Sequence, residues 1–312
     1  MKNNTKGEFV RWESTFRNWI TADGSAGASG SAGFKAEANR YHLYVSLACP
    51  WAHRTLIFRE LKGLSHLITV SVVHPLMPEI SWLFGDYPGS TADDINGQST
   101  MADVYKIANP DFNGVVTVPV LWDKKQNTIV NNESSEIIRM LNSAFNALED
   151  NKINKELDLY PTDLHSEIDS VNDEVYNNIN NGVYRCGFAV SQKAYEQAYQ
   201  DLFNALENME QRLGSQAFLA GDSITEADWR FFVTLIRFDA VYVGHFKCNK
   251  KRIVDFPNLW NYTKQLYQIP GIAATVNLDH IKYHYYASHS SINPTGIVPL
   301  GPELDFMAAH NR

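Results

Sequence analysis

Cys49 stands in Tyr41-His42-Leu43-Tyr44-Val45-Ser46-Leu47-Ala48-Cys49-Pro50-Trp51-Ala52-His53-Arg54, an apolar strand pattern that runs through Cys-Pro into a helix. A thiol at a helix N-terminus faces unpaired N–H groups and the positive end of the helix dipole, which favour the thiolate, the nucleophilic form. Ala52 occupies the place where a Cys-x-x-Cys pair would carry its second sulfur. Without a resolving thiol in the motif, attack by Cys49 ends in a mixed disulfide that an external thiol must open, and glutathione is the usual cellular reagent for that step. The plain alternative is a small buried cysteine used for packing, the commoner fate of a lone thiol, but it does not account for the strand, Cys-Pro and helix around it.

A second feature is Pro119, inside the strand-like run Val116-Thr117-Val118-Pro119-Val120-Leu121-Trp122. Proline cannot donate to a sheet ladder and belongs at an edge, unless the bond before it is cis at the start of a strand. A cis Val118–Pro119 bond would leave the Val118 N–H and C=O outside the ladder, free to hold a peptide-like ligand near a reactive cysteine. The remaining candidates carry less. Cys186 and Cys248 follow no strand-to-helix junction and read as buried packing. His280, His284 and His289 fall near helical spacing, but no carboxylate or cysteine completes a ligand set, so no metal is expected and a tyrosine-rich helix face explains them. His53, one turn beyond Cys49, either tunes the thiolate or is solvated, and the sequence leaves both open.

The elements that must position these residues follow from periodicity. Strand Tyr41–Ser46, a helix over 52–61 with Leu56, Ile57 and Leu61 in phase, and the β-branched run Leu67–Val73 make a βαβ unit. Residues 75–113 are irregular, carry Trp82, and read as an insertion with one short helix over 102–108. Strand 116–122, a turn over 123–127, strand 128–130 and a helix over 134–145 complete βαβ…ββα, the order of a thioredoxin-like domain. The spacing then predicts helices over 168–179, 194–213, 226–241, 259–269 and 278–287, hence an all-α domain. Thr225-Glu226-Ala227-Asp228 opens one of them as a capping box, a structural device. Ahead of all this, an aromatic segment, Phe16-Arg17-Asn18-Trp19-Ile20, must dock somewhere, and Gly24–Gly33 reads as a flexible Gly/Ser loop. The expected organisation is an N-terminal extension over 1–38, a thioredoxin-like domain over 39–148 with the insertion 75–113, an all-helical domain over 160–290 and a tail over 291–312.

Length and composition agree with a two-domain globular enzyme: 312 residues, 44% hydrophobic and 20% charged. The net charge of −8 argues against nucleic acid as a partner. Three cysteines cannot form a disulfide framework and suit a reducing compartment. No stretch approaches the ~20 apolar residues that cross a bilayer, and the first residues lack an apolar signal core. A cytoplasmic protein without membrane attachment is expected.

A thioredoxin-like domain followed by an all-helical domain with Thr-x-x-Asp at a helix start resembles the glutathione transferases. Residues 41–54, Val116-Thr117-Val118-Pro119-Val120-Leu121-Trp122-Asp123, Ile129-Val130-Asn131-Asn132-Glu133-Ser134-Ser135-Glu136-Ile137-Ile138-Arg139-Met140, Asn180-Asn181-Gly182-Val183-Tyr184-Arg185-Cys186-Gly187-Phe188-Ala189, His245-Phe246-Lys247-Cys248 and Ile292-Asn293-Pro294-Thr295-Gly296-Ile297 together resemble the glutathionyl-hydroquinone reductases, the Xi class. The resemblance runs from about Phe16 to about Gly301. It implies glutathione-dependent reduction of glutathionyl-hydroquinones to hydroquinones, with glutathione as co-substrate, glutathione disulfide as product, and a homodimeric enzyme. It also implies site residues: Cys49 as the nucleophile; Glu133 and Ser134 at the γ-glutamyl end of glutathione; Val118, with Pro119, at its cysteinyl part; Trp82 near its glycyl end; and Tyr184, Tyr285 and Tyr242 in the hydroquinone pocket. Ser134 on its own residue type reads as an ordinary helix N-cap, and Trp82 as a buried loop anchor. Where the family usually has arginine before Val-Thr-Val-Pro, this chain has Val115, so a charge-assisted bond to a carboxylate is lost unless Lys106 or another cation takes its place. Arg185 replaces the usual lysine and keeps the charge. Two rival functions remain in view: a general thiol transferase or dehydroascorbate reductase, and a non-catalytic interaction module of glutathione-transferase shape. An aromatic substrate suits the tyrosines better than the first, and the intact Cys-Pro-Trp-Ala argues against the second.

Overall fold

A computed structural model describes residues 3–78 and 81–312. Met1 and Lys2 of the expected N-terminal extension, and Glu79 and Ile80 of the insertion, lie outside the described residues. The chain divides into two compact units.

One unit comprises Trp12–Asp158 with Thr275–His280. Its sheet is built from β3 (Tyr41–Val45), β4 (Thr69–Val72), β5 (Val120–Asp123) and β6 (Thr128–Asn131), in the order β4-β3-β5-β6. β3 is parallel to β4 and antiparallel to β5, and β5 is antiparallel to β6. A parallel pair needs a crossover, which α1 (Pro50–Leu61) supplies, and α3 (Ser134–Ser143) packs against α1. Every residue of β3 is buried, as an apolar strand at the centre of a sheet should be. This is the expected βαβ…ββα order of a thioredoxin-like fold. β3 and β4 are shorter than their apolar runs, β6 is one residue longer than expected, and β5 starts only at Val120 and ends at Asp123, so Pro119 lies just before the strand, where it displaces no ladder bond.

The aromatic segment docks on the free edge of β6. Asn18 N–H donates to the Val130 carbonyl at 3.1 Å, the Asn132 N–H donates to the Phe16 carbonyl at 3.0 Å, and an antiparallel bridge joins Arg17 to Asn131. This covers an exposed row of backbone groups. β1 (Trp19–Thr21) continues from it and pairs in parallel with β2 (Gly33–Lys35). The Gly/Ser stretch between them is therefore tied down rather than a loose linker. Ser29 Oγ accepts from Trp19 Nε1 at 2.7 Å and donates toward Glu136 at 2.6 Å, and Ser31 and Ala32 N–H both donate to Asn18 Oδ1. Glycine is required where chains touch. A side chain on Gly33 would collide with the Ser25 carbonyl, and Gly30 combines a φ of +72° with the Arg17 carbonyl beneath it.

In the insertion, α2 (Met101–Ala108) is capped by Thr100, whose Oγ1 accepts from the Asp103 N–H at 3.2 Å, and packs against β6.

The second unit holds the segment ending at Arg11, Leu159–Ala274 and Ile281–Arg312. It is helical, as expected: α4 (His165–Glu174), α5 (Asn181–Gly187), α6 (Gln192–Ser215), α7 (Glu226–Arg237), α8 (Pro257–Tyr267) and most of α9 (Leu278–Ser288). α6 packs on α5 and α8, and α7 on α4 and α8. The capping box forms: Asp228 accepts from Thr225 N–H at 2.8 Å and Thr225 Oγ1 at 3.1 Å, and also from Leu219 N–H and the Tyr262 hydroxyl, all buried. Two π-helical turns, Val175–Asn180 and Phe238–Tyr242, lead out of α4 and α7. Asn180, within the first, donates to the Arg230 carbonyl at 2.9 Å and Thr234 Oγ1 at 2.7 Å, so a buried amide ties one widened helix to the other.

Candidate active site

Cys49 is the N-cap of α1, with Pro50 in the first helical position, where its missing N–H costs nothing. Its carbonyl accepts from His53 N–H at 3.0 Å, opening the helix, and its N–H is held by the Ser46 carbonyl at 3.1 Å. The residue is 8% exposed, and its thiol donates to the Val118 carbonyl at 3.4 Å. The strand-to-helix junction thus sets the sulfur at a helix N-terminus and against Val118. The Val118–Pro119 peptide bond is cis, as the sequence predicts. No protein group accepts from the Val118 N–H among the described residues. His53 is not solvated: it is buried, and its Nε2 lies 2.8 Å from Thr275 Oγ1.

The segment before Val118 is braced by Tyr105 of α2, a residue the sequence reading passes over. Its hydroxyl donates to the Thr117 carbonyl at 2.9 Å, and accepts from Asn132 Nδ2 at 3.0 Å and Thr117 N–H at 3.3 Å. Burial pushes this phenol up, so it stays a donor at any physiological pH. Asn132 Oδ1 in turn accepts from Phe16 N–H. Tyr105, Thr117, Asn132 and Phe16 form one chain of contacts between the insertion, the Val118 turn and the segment on the β6 edge.

α3 starts beside this brace. Its N-cap is Glu133, not Ser134: Glu133 Oε1 accepts from Ser135 N–H at 3.1 Å and Ser135 Oγ at 2.9 Å, and Oε2 accepts from Ser14 Oγ at 2.9 Å. A carboxylate has about four acceptor positions, so Glu133 keeps capacity for one further donor. Ser134 is the first helical residue, buried, and its Oγ accepts from the Arg54 guanidinium at 3.4 Å. Arg54, on α1, is itself buried and lies 4.6 Å over the Trp51 ring. A cation next to the hydroxyl and N–H groups of a helix N-terminus makes this a place for a carboxylate. Lys106 is exposed on α2, and Val115 is 43% exposed. Trp82 is buried, and its carbonyl accepts from Met101 N–H at 2.9 Å, which anchors the insertion.

In the helical unit, the Tyr184 hydroxyl lies 2.6 Å from that of Tyr285, which lies 3.0 Å from that of Tyr242. The three phenols predicted to act together are one hydrogen-bonded chain. Burial pushes Tyr242 and Tyr285 well above the usual phenol range, while Tyr184 is half-buried. His289 Nδ1 lies 3.0 Å from His245 Nε2, and burial lowers both rings, His245 to about 4. His280, in the other unit, is held by the Pro88 carbonyl at 2.7 Å. Cys186 and Cys248 are buried as expected and touch each other; burial and the neighbouring Cys186 thiol push Cys248 well up, the opposite of an activated thiol. Arg185 pairs with Asp201 at 2.8 Å.

Residues 48–144 match the glutathione S-transferase N-terminal domain and residues 192–265 the C-terminal domain. The chain is 54% identical, over 310 residues covering 99% of it and 93% of the relative, to glutathionyl-hydroquinone reductase YqjG of Escherichia coli (strain K12). It is 50% identical to glutathionyl-hydroquinone reductase PcpF of Sphingobium chlorophenolicum, over 95% of this chain and 90% of that one. The chain belongs to the glutathionyl-hydroquinone reductases, the Xi class of glutathione transferases. Solved structures agree. The glutathione-bound structure of YqjG superposes with a TM-score of 0.93 at 55% identity over 96% of each chain. The glutathione-S-transferase Xi of Phanerochaete chrysosporium gives 0.90 at 50% identity, over 97% of this chain and all of that one (100%). Of the residues that the Xi-class resemblance points to, Cys49, Val118, Pro119, Glu133 and Ser134 lie in the sheet-bearing unit around the N-termini of α1 and α3. Trp82 lies in the insertion of the same unit, and the tyrosines in the helical unit. Tyr105 and Arg54 are additions from the structure. Arg54 carried a weak signal, a cation one turn beyond Cys-Pro in a helix with an otherwise apolar face; Tyr105 carried none beyond an aromatic at a core position of a short helix.

Proposed function

We propose that the protein reduces glutathionyl-hydroquinones with glutathione, and that Cys49 is the nucleophile. The reading is supported above all by the placement of Cys49: a single thiol at the N-terminus of α1, with Ala52 where a resolving sulfur would stand, 3.4 Å from the Val118 carbonyl. The Cys49 thiolate attacks the sulfur of the glutathionyl thioether, a sulfur–sulfur bond forms, and the bond from sulfur to the aromatic carbon breaks. The carbon keeps the electron pair and takes up a proton, which releases the hydroquinone. A second glutathione thiolate attacks the glutathione sulfur of the mixed disulfide, returns the Cys49 thiolate and leaves as glutathione disulfide.

In this reading, glutathione binds as a short peptide. Val118 offers its backbone to the cysteinyl part, beside the cis Pro119. The α3 N-terminus with Ser134 and the nearby Arg54 takes the γ-glutamyl carboxylate, and Glu133 takes its ammonium. Trp82 serves the glycyl end. Tyr184, Tyr285 and Tyr242 hold the hydroquinone oxygens and supply the proton. The enzyme works as a cytoplasmic homodimer, as the family resemblance and the three free cysteines suggest; no helix among the described residues is long and apolar enough to cross a membrane. The test is turnover of glutathionyl-menadiol with excess glutathione. Native protein releases menadiol and Cys49→Ala does not; equal release from both refutes the thiol mechanism.

A further inference from the structure

The segment ahead of the sheet-bearing unit belongs by its contacts to the helical unit. Val190 N–H donates to the Gly7 carbonyl at 3.0 Å, and Ser191 Oγ to the Lys6 carbonyl at 2.9 Å. Gly7, at φ +81°, lies so close against Ser191 that a side chain would not fit without a shift. These anchors set Phe9 and Arg11 over one particular residue. Phe9 stacks on the Tyr184 ring at 6.3 Å, and the Arg11 guanidinium lies 4.8 Å from the centre of the same ring. Arg11 Nε also donates to Asn181 Oδ1 at 2.5 Å, at the first residue of α5, one turn before Tyr184. The guanidinium is thus held at two points against the helix that carries the tyrosine.

Tyr184 is the half-buried end of the phenol chain that continues through Tyr285 to the fully buried Tyr242. A cation over the face of a phenol is attracted to the ring and more strongly to the phenolate, so it favours release of the proton. The other charged and titratable groups around the chain act at its buried end. His245, His284 and His289 pack on the Tyr285 ring, and Arg237 faces Tyr242 and Tyr285 from the end of α7. Arg11 is the cation that lies over the Tyr184 ring, at the half-buried end of the chain.

We propose that Arg11 is a positioning residue for the reductase reaction: laid over Tyr184, it makes that phenol the proton donor to the aromatic carbon from which sulfur departs. The proton passes from Tyr184 Oη to that carbon as the carbon–sulfur pair is left behind. The phenolate that remains is stabilised by the guanidinium and by the Tyr285 hydroxyl until solvent returns a proton. This inference rests on the hydroquinone-reductase reading, and it gives the N-terminal segment a part in the chemistry.

The experiment compares native protein, Arg11→Gln, Arg11→Lys, Tyr184→Phe and Arg11→Gln/Tyr184→Phe in steady-state turnover of glutathionyl-menadiol across pH. Arg11→Gln is expected to lower kcat about fivefold, the usual worth of a partly desolvated cation–π pair, with the KM for glutathione unchanged. Its pH profile shifts to the alkaline side, and Arg11→Lys retains most of the rate. In the Tyr184→Phe background, Arg11→Gln costs nothing further, because the group it acts through is gone. An Arg11→Gln variant with native kcat and pH profile, or one equally impaired with and without the Tyr184 hydroxyl, overturns the inference. If Arg11→Gln does not fold, Arg11→Met, which keeps the apolar stem and removes the charge, takes its place: a lower kcat with an alkaline shift, both absent in the Tyr184→Phe background, supports the inference, and a native kcat and profile overturn it. A native protein that releases no menadiol refutes the reductase reading itself, an outcome distinct from any of these.

Discussion

Tyr105→Phe removes one oxygen and leaves the ring, so its effect reports the brace on the Val118 turn alone. The hydroxyl donates to the Thr117 carbonyl at 2.9 Å and accepts from Asn132 Nδ2 at 3.0 Å and Thr117 N–H at 3.3 Å. Asn132 is buried, and its Nδ2 keeps only a 3.4 Å contact to Thr117 Oγ1 once the phenol oxygen is gone. An unsatisfied buried donor costs about 1–3 kcal/mol, and each net hydrogen bond is worth about 1 kcal/mol. Thr117 is half-buried, so water replaces part of what its backbone loses. The expected loss is therefore roughly 2–3 kcal/mol, read as a lower urea midpoint at unchanged slope. Because Thr117 leads directly into Val118, the same variant is expected to raise the KM for glutathione by about threefold to tenfold, equivalent to about 0.7–1.4 kcal/mol of binding. A variant within about 0.5 kcal/mol of native stability and with native KM would refute the brace. A loss of stability with native KM would keep the brace and remove its role in presenting Val118.

Asp228→Ala strands the buried Leu219 N–H, Thr225 N–H and Tyr262 hydroxyl and is expected to destabilise the helical unit by about 4 kcal/mol, while the folded fraction keeps its activity per molecule; thermal melts with activity of the soluble protein check both. Burial, with Lys124 and Arg59 nearby, lowers His42 from 6.5 to about 4, so its ring is neutral when folded and the unfolded chain takes up the proton first. Its contribution is present above pH 6.5 and lost as pH falls toward 4, about 2 kcal/mol between pH 7 and pH 5. Urea unfolding at the two pH values should show a drop smaller by that amount in His42→Gln, and an equal drop would contradict the assignment. Val115→Arg is expected to lower the KM for glutathione about tenfold, the low end for a charge-assisted bond at a position 43% exposed. An unchanged KM would show that this position does not face glutathione.

The parts of the fold that were legible are those whose residues leave a local signature. Cys-Pro after an apolar strand marks the β3–α1 junction, Pro119 among β-branched residues marks the cis turn before β5, and Thr225-x-x-Asp228 marks the start of α7. What escaped depends on tertiary contact. Gly24–Gly33 has the composition of a linker, yet its glycines serve close approach to Arg17 and Ser25, and its serines serve hydrogen bonds to Trp19 and Glu136. β1 and β2 are three residues each, too short to show alternation. Ser134 reads as the cap of α3 because serine is the preferred cap and glutamate is not, but the carboxylate of Glu133 reaches the free N–H of Ser135 and takes that place. The two π-helical turns add a residue without changing the apolar pattern, so Tyr184 and Tyr242 sit on helix faces that a 3.6-residue period does not place. For the site, residue type and spacing pointed to Cys49 and Val118, and the family resemblance to the phenols; Arg54 left only a weak signal, and Tyr105 and Arg11 became visible only through what they touch.

The most direct test of Cys49 as nucleophile omits the second thiol. Protein mixed with a small excess of glutathionyl-menadiol and no free glutathione should release one menadiol per Cys49 in a single burst. The mass of the intact protein should then rise by one glutathionyl group, which peptide mapping places on Cys49 and which added glutathione removes. Cys49→Ser should show neither burst nor adduct. A burst without an adduct, or an adduct on Cys186 or Cys248 with Cys49 unmodified, would contradict the mechanism.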